Sequence, residues 1–229
     1  MKQFLYLVAV LLIASAMVSA EGVSPVFYGG AGIGTLVKPS GFVPFIDLGI
    51  GDVYKSGANF GGGLGFQLSP MFEIVGRFSY NTFSFDDEGL AEKAVEAMEE
   101  LVNIGTYTAT VSGDKLQITE MIADVKLLIP VGGESGTFRP FLLTGLGFAN
   151  IKIEAWNMLV TNDLLGIVMT GGFFEISETK FLFNIGGGFD WMASPKVGIF
   201  ADVRYAQVAM VGDPIGYVPV RAGLMFKFK

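Results

Sequence analysis

The sequence predicts an all-β chain: an eight-stranded antiparallel up-and-down transmembrane β-barrel with a short helix in an outer loop. Three observations carry the prediction. Side chains alternate with a period of two over much of the chain, as in Val218, Val220, Ala222, Leu224, Phe226 and Phe228 against Pro219, Arg221, Gly223, Met225 and Lys227. The links between alternating segments are by turns long and short. A mean hydropathy of +0.54 comes with no run of ~20 apolar residues beyond the leader. In lipid, only helices and closed barrels satisfy every backbone polar group, so distributed hydrophobicity points to the barrel.

The first twenty residues read as an export signal. Lys2 supplies a positive start, residues 4–18 are almost unbroken apolar, and Val18, Ser19 and Ala20 form a small-residue cleavage site before Glu21. An N-terminal membrane anchor is the alternative, but the apolar stretch is shorter than the ~20 residues of a comfortable spanning helix. No cysteine follows it, which excludes a lipid-modified N-terminus. Taking twenty residues from 229 leaves 209, enough for one domain. Removing Lys2 from the 15 basic side chains leaves 14 against 22 acidic ones, a formal charge of −8. An acidic chain without histidine or cysteine is a poor partner for nucleic acid. It has no disulfide, thiol nucleophile or cysteine metal site.

Eight strands are expected at about 26–37, 58–68, 71–85, 116–129, 138–150, 180–192, 196–210 and 216–228, bounded by glycine, proline and acidic residues. Most reach or exceed the ~9–11 residues that cross a bilayer at a tilt. Ser69-Pro70 and Ala193-Ser194-Pro195 make tight turns, and 130–137 is a short glycine-rich one. The links 38–57, 86–115 and 151–179 are long, and 211–215 is brief. With an exported N-terminus on the periplasmic side, the long links share the outer end.

Each strand divides into two faces. One parity carries Asn59, Gly61, Gly63, Gly65, Gln67, Glu73, Arg77, Glu120, Asp124 and Lys126, then Asn184, Gly186, Gly188, Asp190, Asp202, Arg204, Arg221 and Lys227. The other carries Phe60, Leu64, Phe66, Phe78, Val125, Phe183, Trp191, Val203, Tyr205, Leu224 and their like. Strand 138–150 is ambiguous, because both parities are mostly apolar. A soluble sandwich, or a secreted lipocalin-like carrier, has the same period with the faces exchanged. Glycine decides between them. Gly30, Gly32, Gly34, Gly61, Gly63, Gly65, Gly186, Gly188 and Gly223 share the polar face. There they gain nothing on a wet exterior, but inside a narrow barrel they make room for long side chains opposite. The apolar face then meets lipid, with Trp191 and Tyr205 as interface anchors.

The chain resembles the small eight-stranded outer-membrane barrels related to outer membrane proteins A, X and W. The residues carrying the resemblance run from Phe27-Tyr28-Gly29-Gly30-Ala31-Gly32-Ile33-Gly34 through Arg139-Pro140-Phe141 to Gly145-Leu146-Gly147. They continue in Phe183-Asn184-Ile185-Gly186-Gly187-Gly188, Ala201-Asp202-Val203-Arg204-Tyr205 and the closing alternating strand. The resemblance covers nearly all of the chain after the leader. Such chains usually end on an aromatic residue, whereas here Lys229 follows Phe228. The resemblance implies a location in the outer membrane of a Gram-negative cell and delivery by the barrel assembly machinery. A porin-like role and, through the relatives of outer membrane protein W, passage of small hydrophobic solutes are further implications.

The inner parity holds five acids (Glu73, Glu120, Asp124, Asp190, Asp202) and five bases (Arg77, Lys126, Arg204, Arg221, Lys227). Equal numbers suit an ion-pair network filling a narrow lumen, because unpaired buried charge is expensive. A charged pore or a binding site is the alternative reading. Nothing points to catalysis. With no histidine, neither a Ser-His nor an Asp-His arrangement nor a histidine metal site can form. Asp86, Asp87 and Glu88 lack the spacing of a calcium loop, and Gly29 to Gly34 precede no helix with Lys-Ser/Thr. Glu120 and Asp124 could perturb each other, but their basic neighbours explain them structurally. No cofactor is expected, and the chain is expected to be a monomer.

Two outer links stand out. In 87–103 helical spacing places Leu90, Ala94, Met98, Leu101 and Val102 on one face, with Glu92, Glu96, Glu99 and Glu100 largely elsewhere. Link 155–174 is unusually apolar, with Trp156, Met158, Leu159, Leu164, Leu165, Ile167, Val168 and Met169. It could cover the helix, dip into the barrel mouth, or pair as a hairpin extending the strands. Together the two links are expected to cap the outer mouth. Two functions follow: a structural or surface-interaction barrel, with a host or surface partner, or a conduit or binder for a small hydrophobic solute.

Overall fold

Strand β1 (Ser24–Leu36) pairs antiparallel with β2 (Gly57–Gln67) on one side and with the last strand of the chain, β11 (Ile215–Lys227), on the other. The sheet therefore closes on itself. This computed structural model describes residues 24–37, 50–102, 104–129, 131, 137–173, 175–210 and 214–228. The wall continues through β3 (Phe72–Phe83), β5 (Leu116–Leu128), β6 (Phe138–Ile153), β9 (Ile176–Met192) and β10 (Val197–Val208). Around the barrel the order is β1-β11-β10-β9-β6-β5-β3-β2, eight strands with every neighbour antiparallel. The export signal at 1–20, most of link 38–57 and most of turn 130–137 lie outside the described residues.

Two of the short turns are built alike. Ser69 Oγ accepts from Phe72 N–H at 3.0 Å, and Ser194 Oγ accepts from Val197 N–H at 3.1 Å. Each hydroxyl satisfies a backbone donor that the turn frees, and the proline that follows each serine presets the bend. These turns and the β5–β6 connection share one end of the barrel. The long links share the other.

The faces fall as the alternation requires. Phe78, Phe183, Val203 and Leu224 point out and are exposed, whereas Arg77, Glu120, Asp190, Arg204 and Arg221 are buried inside. Phe66 departs from the expectation. It faces Pro25 and Ile74 in register at the turn end and is buried. The ambiguous strand is resolved: β6 turns Arg139, Phe141, Leu143, Gly145, Gly147, Ala149, Ile151 and Ile153 inward and exposes Leu142, Leu146 and Phe148.

Inward glycines make room for specific side chains. A Cβ at Gly30 would sit 2.8 Å from the Phe200 ring, and one at Gly223 2.7 Å from it. A Cβ at Gly65 would collide with Glu73, and one at Gly145 with Asp124. The glycine-rich pair β1–β2 is thus the thin wall against which the bulkier strands project.

On β6 the outward apolar residues run from Phe138 to Phe148, ten steps. At ~3.3 Å per residue and a tilt of ~40° this spans about 25 Å, the height of a lipid-facing belt. Above the belt the polarity inverts. Outward positions become Thr119, Asn150 and Thr179 in one cross-strand row and Gln117, Lys152 and Ser177 in the next. Inward positions there are the pairs Ile118–Ile151 and Leu116–Ile153, all at most 1% exposed. The barrel wall therefore continues past the belt with an ordinary apolar interior.

The long links build onto that end. Strands β4 (Tyr107–Ser112), β7 (Trp156–Asn162) and β8 (Gly166–Phe173) form a second sheet in the order β4-β7-β8. The apolar link is thus a hairpin, β7–β8, paired with a strand from the helix-bearing link. The loop helix, Asp87–Leu101, packs beside it, and a single turn of helix, Ile50–Val53, comes from the first link.

Candidate functional site

The inward charges converge in the lumen as two networks. At the turn end, Tyr28 donates to Glu73 Oε1 at 2.7 Å, and Lys126 Nζ donates to Tyr28 Oη at 3.1 Å. Lys126 also spans both oxygens of Asp190 at 2.8 and 2.7 Å, and stands 3.9 Å above the Phe141 ring. Arg139 approaches the same aspartate at 3.9 Å. Lys227 is half-buried nearer the turns, where it donates to Gln67 Oε1 at 2.8 Å. Arg139 was not among the lumen charges read from the sequence, because the facing of its strand was ambiguous; β6 places it directly in register with Asp190 of β9.

The central network is denser. Arg204 donates to Asp202 through Nε at 2.9 Å and Nη2 at 3.1 Å, and to Asp124 through Nη1 at 2.7 Å. Arg221 forms a second fork on Asp202 at 3.2 and 2.9 Å. Arg77 lies 3.2 Å from Asp124 and 3.8 Å from Glu120, and Asn184 donates to Asp124 at 2.9 Å. Forked guanidinium–carboxylate pairs are the geometry that offsets the desolvation of buried charge. Above them Tyr217 donates to Glu120 at 2.5 Å, Asn81 donates to the same carboxylate, and Asn59 donates to Asn81. Tyr28, Tyr217 and Asn81 were not singled out from sequence. The signal was present: each shares parity with a glycine or arginine of the inner face.

Between the networks lies a cavity of about 30 Å³ lined by Arg77, Lys126, Arg204 and Phe200 among others. That volume suits one or two water molecules, not a solute. Among the described residues no group of three His, Cys, Asp or Glu side chains could hold a metal ion.

Toward the loop end the lumen becomes apolar and joins the loop elements in a single core. Leu90, Ala94 and Met98 of the loop helix and Trp156 of β7 are buried in one cluster with Phe83, Leu116, Ile118, Leu182 and Val208 of the wall. The Phe85 and Trp156 rings meet with centroids 6.0 Å apart, tilted by 37°. Leu101, Leu164 and Leu165, expected to share this contact, remain exposed. Leu101 ends its helix, and Leu164 and Leu165 occupy the β7–β8 hairpin tip, where Asn162 Oδ1 accepts from both their N–H groups at 3.0 Å.

The helix is fixed at its start. Asp86 Oδ1 accepts from Gly89 N–H at 3.1 Å, and Lys55 Nζ stands 3.0 Å from the same carboxylate. Lys93 reaches Asp52 at 2.6 Å, a second strap between the first link and the helix. Partial burial pushes the Asp86 carboxyl up, but the bonds from Lys55 and Gly89 outweigh it and hold it below the usual carboxylate range. A carboxyl lowered on folding contributes stability above its unfolded pKa and loses it as pH falls through the folded one. Exchange protection of the Gly89 and Leu90 amides is therefore expected to be constant near neutrality and to fall only in acid. Asp86→Ala should remove that acid dependence and weaken the helix start by about 1 kcal/mol. Unaltered exchange in the variant would contradict the cap.

A closed antiparallel barrel of eight strands with an apolar belt and a charged interior has the fold of the small outer-membrane barrels. Its backbone is similar to the crystal structure of neisserial surface protein A, with a TM-score of 0.55 at 15% identity, covering 91% of this chain and 100% of that one. Lower similarities are to the N-terminal β-barrel domain of Pseudomonas aeruginosa OprF (TM-score 0.44, 13% identity, 90% and 97% covered) and to Ail, the attachment invasion locus protein of Yersinia pestis (0.43, 14%, 91% and 100%). At these identities the likeness is one of fold. No protein-family model and no curated protein matches the sequence.

Proposed function

We propose that this chain is a non-enzymatic barrel of a Gram-negative outer membrane, with a structural or surface-interaction role and a lumen filled by ion pairs. The observation that carries the reading is the inversion of polarity along the wall. Below it, charges lie inside an apolar exterior, an arrangement that suits lipid and would be unstable in water. Above it, an apolar core lies inside a polar exterior, which suits the aqueous side. The motif likeness to outer membrane proteins A, X and W agrees with this reading. In this reading the chain is exported with cleavage after Ala20 and folds through the barrel assembly machinery as a monomer. The ten lumen charges hold the wall together, and Leu90, Ala94, Met98 and Trp156 seal its outer mouth.

A second reading, binding or passage of a small hydrophobic solute, draws on the apolar zone beneath the loop helix. That zone is occupied by its own side chains, with Leu116, Ile118, Leu182 and Val208 fully buried. A solute would enter only where the helix withdrew.

The chain's two tryptophans test the membrane reading. Trp191 is 45% exposed on the outer wall, whereas Trp156 is 4% exposed in the loop-end core. In the Trp156→Phe variant, refolded into vesicles, brominated lipid is expected to quench Trp191 strongly and aqueous iodide only weakly. The reverse pattern would take the apolar face out of lipid.

A further inference from the structure

Five large apolar side chains are exposed at the loop end: Leu101, Val102, Ile104, Leu164 and Leu165, from 36% to 70%. They belong to two chain segments that polar groups stitch together. Asn162 Nδ2 donates to Ile104 O at 2.6 Å, Asp163 N–H donates to Thr106 O at 3.1 Å, and Thr106 N–H donates to Asp163 Oδ1 at 2.9 Å. Gly105 makes the close approach possible: its φ is +73°, and a Cβ there would collide with Asp163. The backbone of the two segments is thus joined by hydrogen bonds, and none of the five side chains belongs to the loop-end core cluster. Apolar surface of this kind on an aqueous face marks an interaction site.

The charges around it indicate the occupant. Glu96, Glu99 and Glu100 lead up to Leu101 in the chain, Asp163 directly precedes Leu164, and all four are exposed. Neither segment 94–114 nor segment 153–179 contains a lysine or an arginine. An anionic lipid surface would be repelled by these acids, and a second copy would present the same acids to them. We infer that this patch docks a protein or peptide segment whose apolar residues are flanked by lysine or arginine. The inference rests on the surface-interaction reading and adds the class of partner to it.

The test uses the full chain in lipid nanodiscs, with insertion first checked by Trp191 quenching, so that failure to insert counts against the membrane reading and not against the patch. The probe is a short synthetic amphipathic peptide of leucine and lysine. It is compared with the same peptide carrying glutamate for lysine, with added anionic vesicles, and with self-association in the ultracentrifuge. The lysine peptide is expected to bind, to bind more weakly as salt rises, and to lose about tenfold or more in affinity with Leu164→Ser/Leu165→Ser. The glutamate peptide should not bind. Equal binding to the double variant, preference for the glutamate peptide, Leu164-dependent capture of vesicles, or Leu164-dependent dimerisation would each overturn the proposal. A second variant, Leu101→Ser, should weaken the peptide as well, with the Trp156 emission unchanged to show that the core is intact.

Discussion

Arg204→Ala is expected to lower the unfolding free energy of the detergent-refolded protein by about 3–5 kcal/mol, because it strips a partner from two buried carboxylates. Arg204 is the bridge between Asp124 on β5 and Asp202 on β10, with three hydrogen bonds below 3.2 Å. Its own exposure is 6%. Each aspartate keeps one other guanidinium, Arg77 for Asp124 and Arg221 for Asp202, so the barrel should still form. Arg204→Lys should fall between the two, since an ammonium restores the charge but not the planar fork. Urea denaturation of the three proteins measures this. An unshifted midpoint for Arg204→Ala would mean that water already solvates the charges.

Leu90→Ala is expected to cost about 2–5 kcal/mol, and to cost it in the loop-end core. Leu90 is fully buried in the cluster that includes Trp156, Leu116 and Ile118. Its loss leaves a cavity between the loop helix and the inverted part of the wall. Trp156 emission in a Trp191→Phe background reports on that core, so its urea transition should move to lower denaturant. A transition that does not move would mean that the helix contributes no packing at the barrel mouth.

Most of the barrel was legible in the sequence because lipid and lumen impose opposite chemistry on alternate residues. Where the contrast is strong, as in Glu73, Arg77 and Phe78 or in Asp202, Val203 and Arg204, both strand and facing can be read directly. Strand β6 gave no such contrast. Its inner face packs Phe141 against Lys126 below and Ile151 and Ile153 into the loop-end core above, so both parities are apolar. The inversion was hidden for a related reason. Leu116, Ile118 and Glu120 share one parity of β5, yet they lie on opposite sides of the level at which the surroundings change. An average over the whole strand cancels that change. Strand β4 is too short to stand out within its link, and the β7–β8 hairpin depends on a partner strand more than forty residues away. The exposure of Leu101, Leu164 and Leu165 could not be foreseen, because the hydrogen bonds of Asn162 and Asp163 join 104–106 to the hairpin tip without using those three side chains.

Planar-bilayer recording of the refolded full-length protein tests the ion-pair-filled lumen most directly. The Asp124, Asp202, Arg204 and Arg221 forks, the Glu120–Tyr217 layer and the apolar zone above them occupy the lumen at successive levels, and the cavity beside the forks, about 30 Å³, suits one or two waters. Bilayers that contain the inserted protein are therefore expected to show no stepwise current above the bare membrane in potassium chloride. Reproducible single-channel steps of fixed size would contradict the filled lumen and make the charged interior a pore.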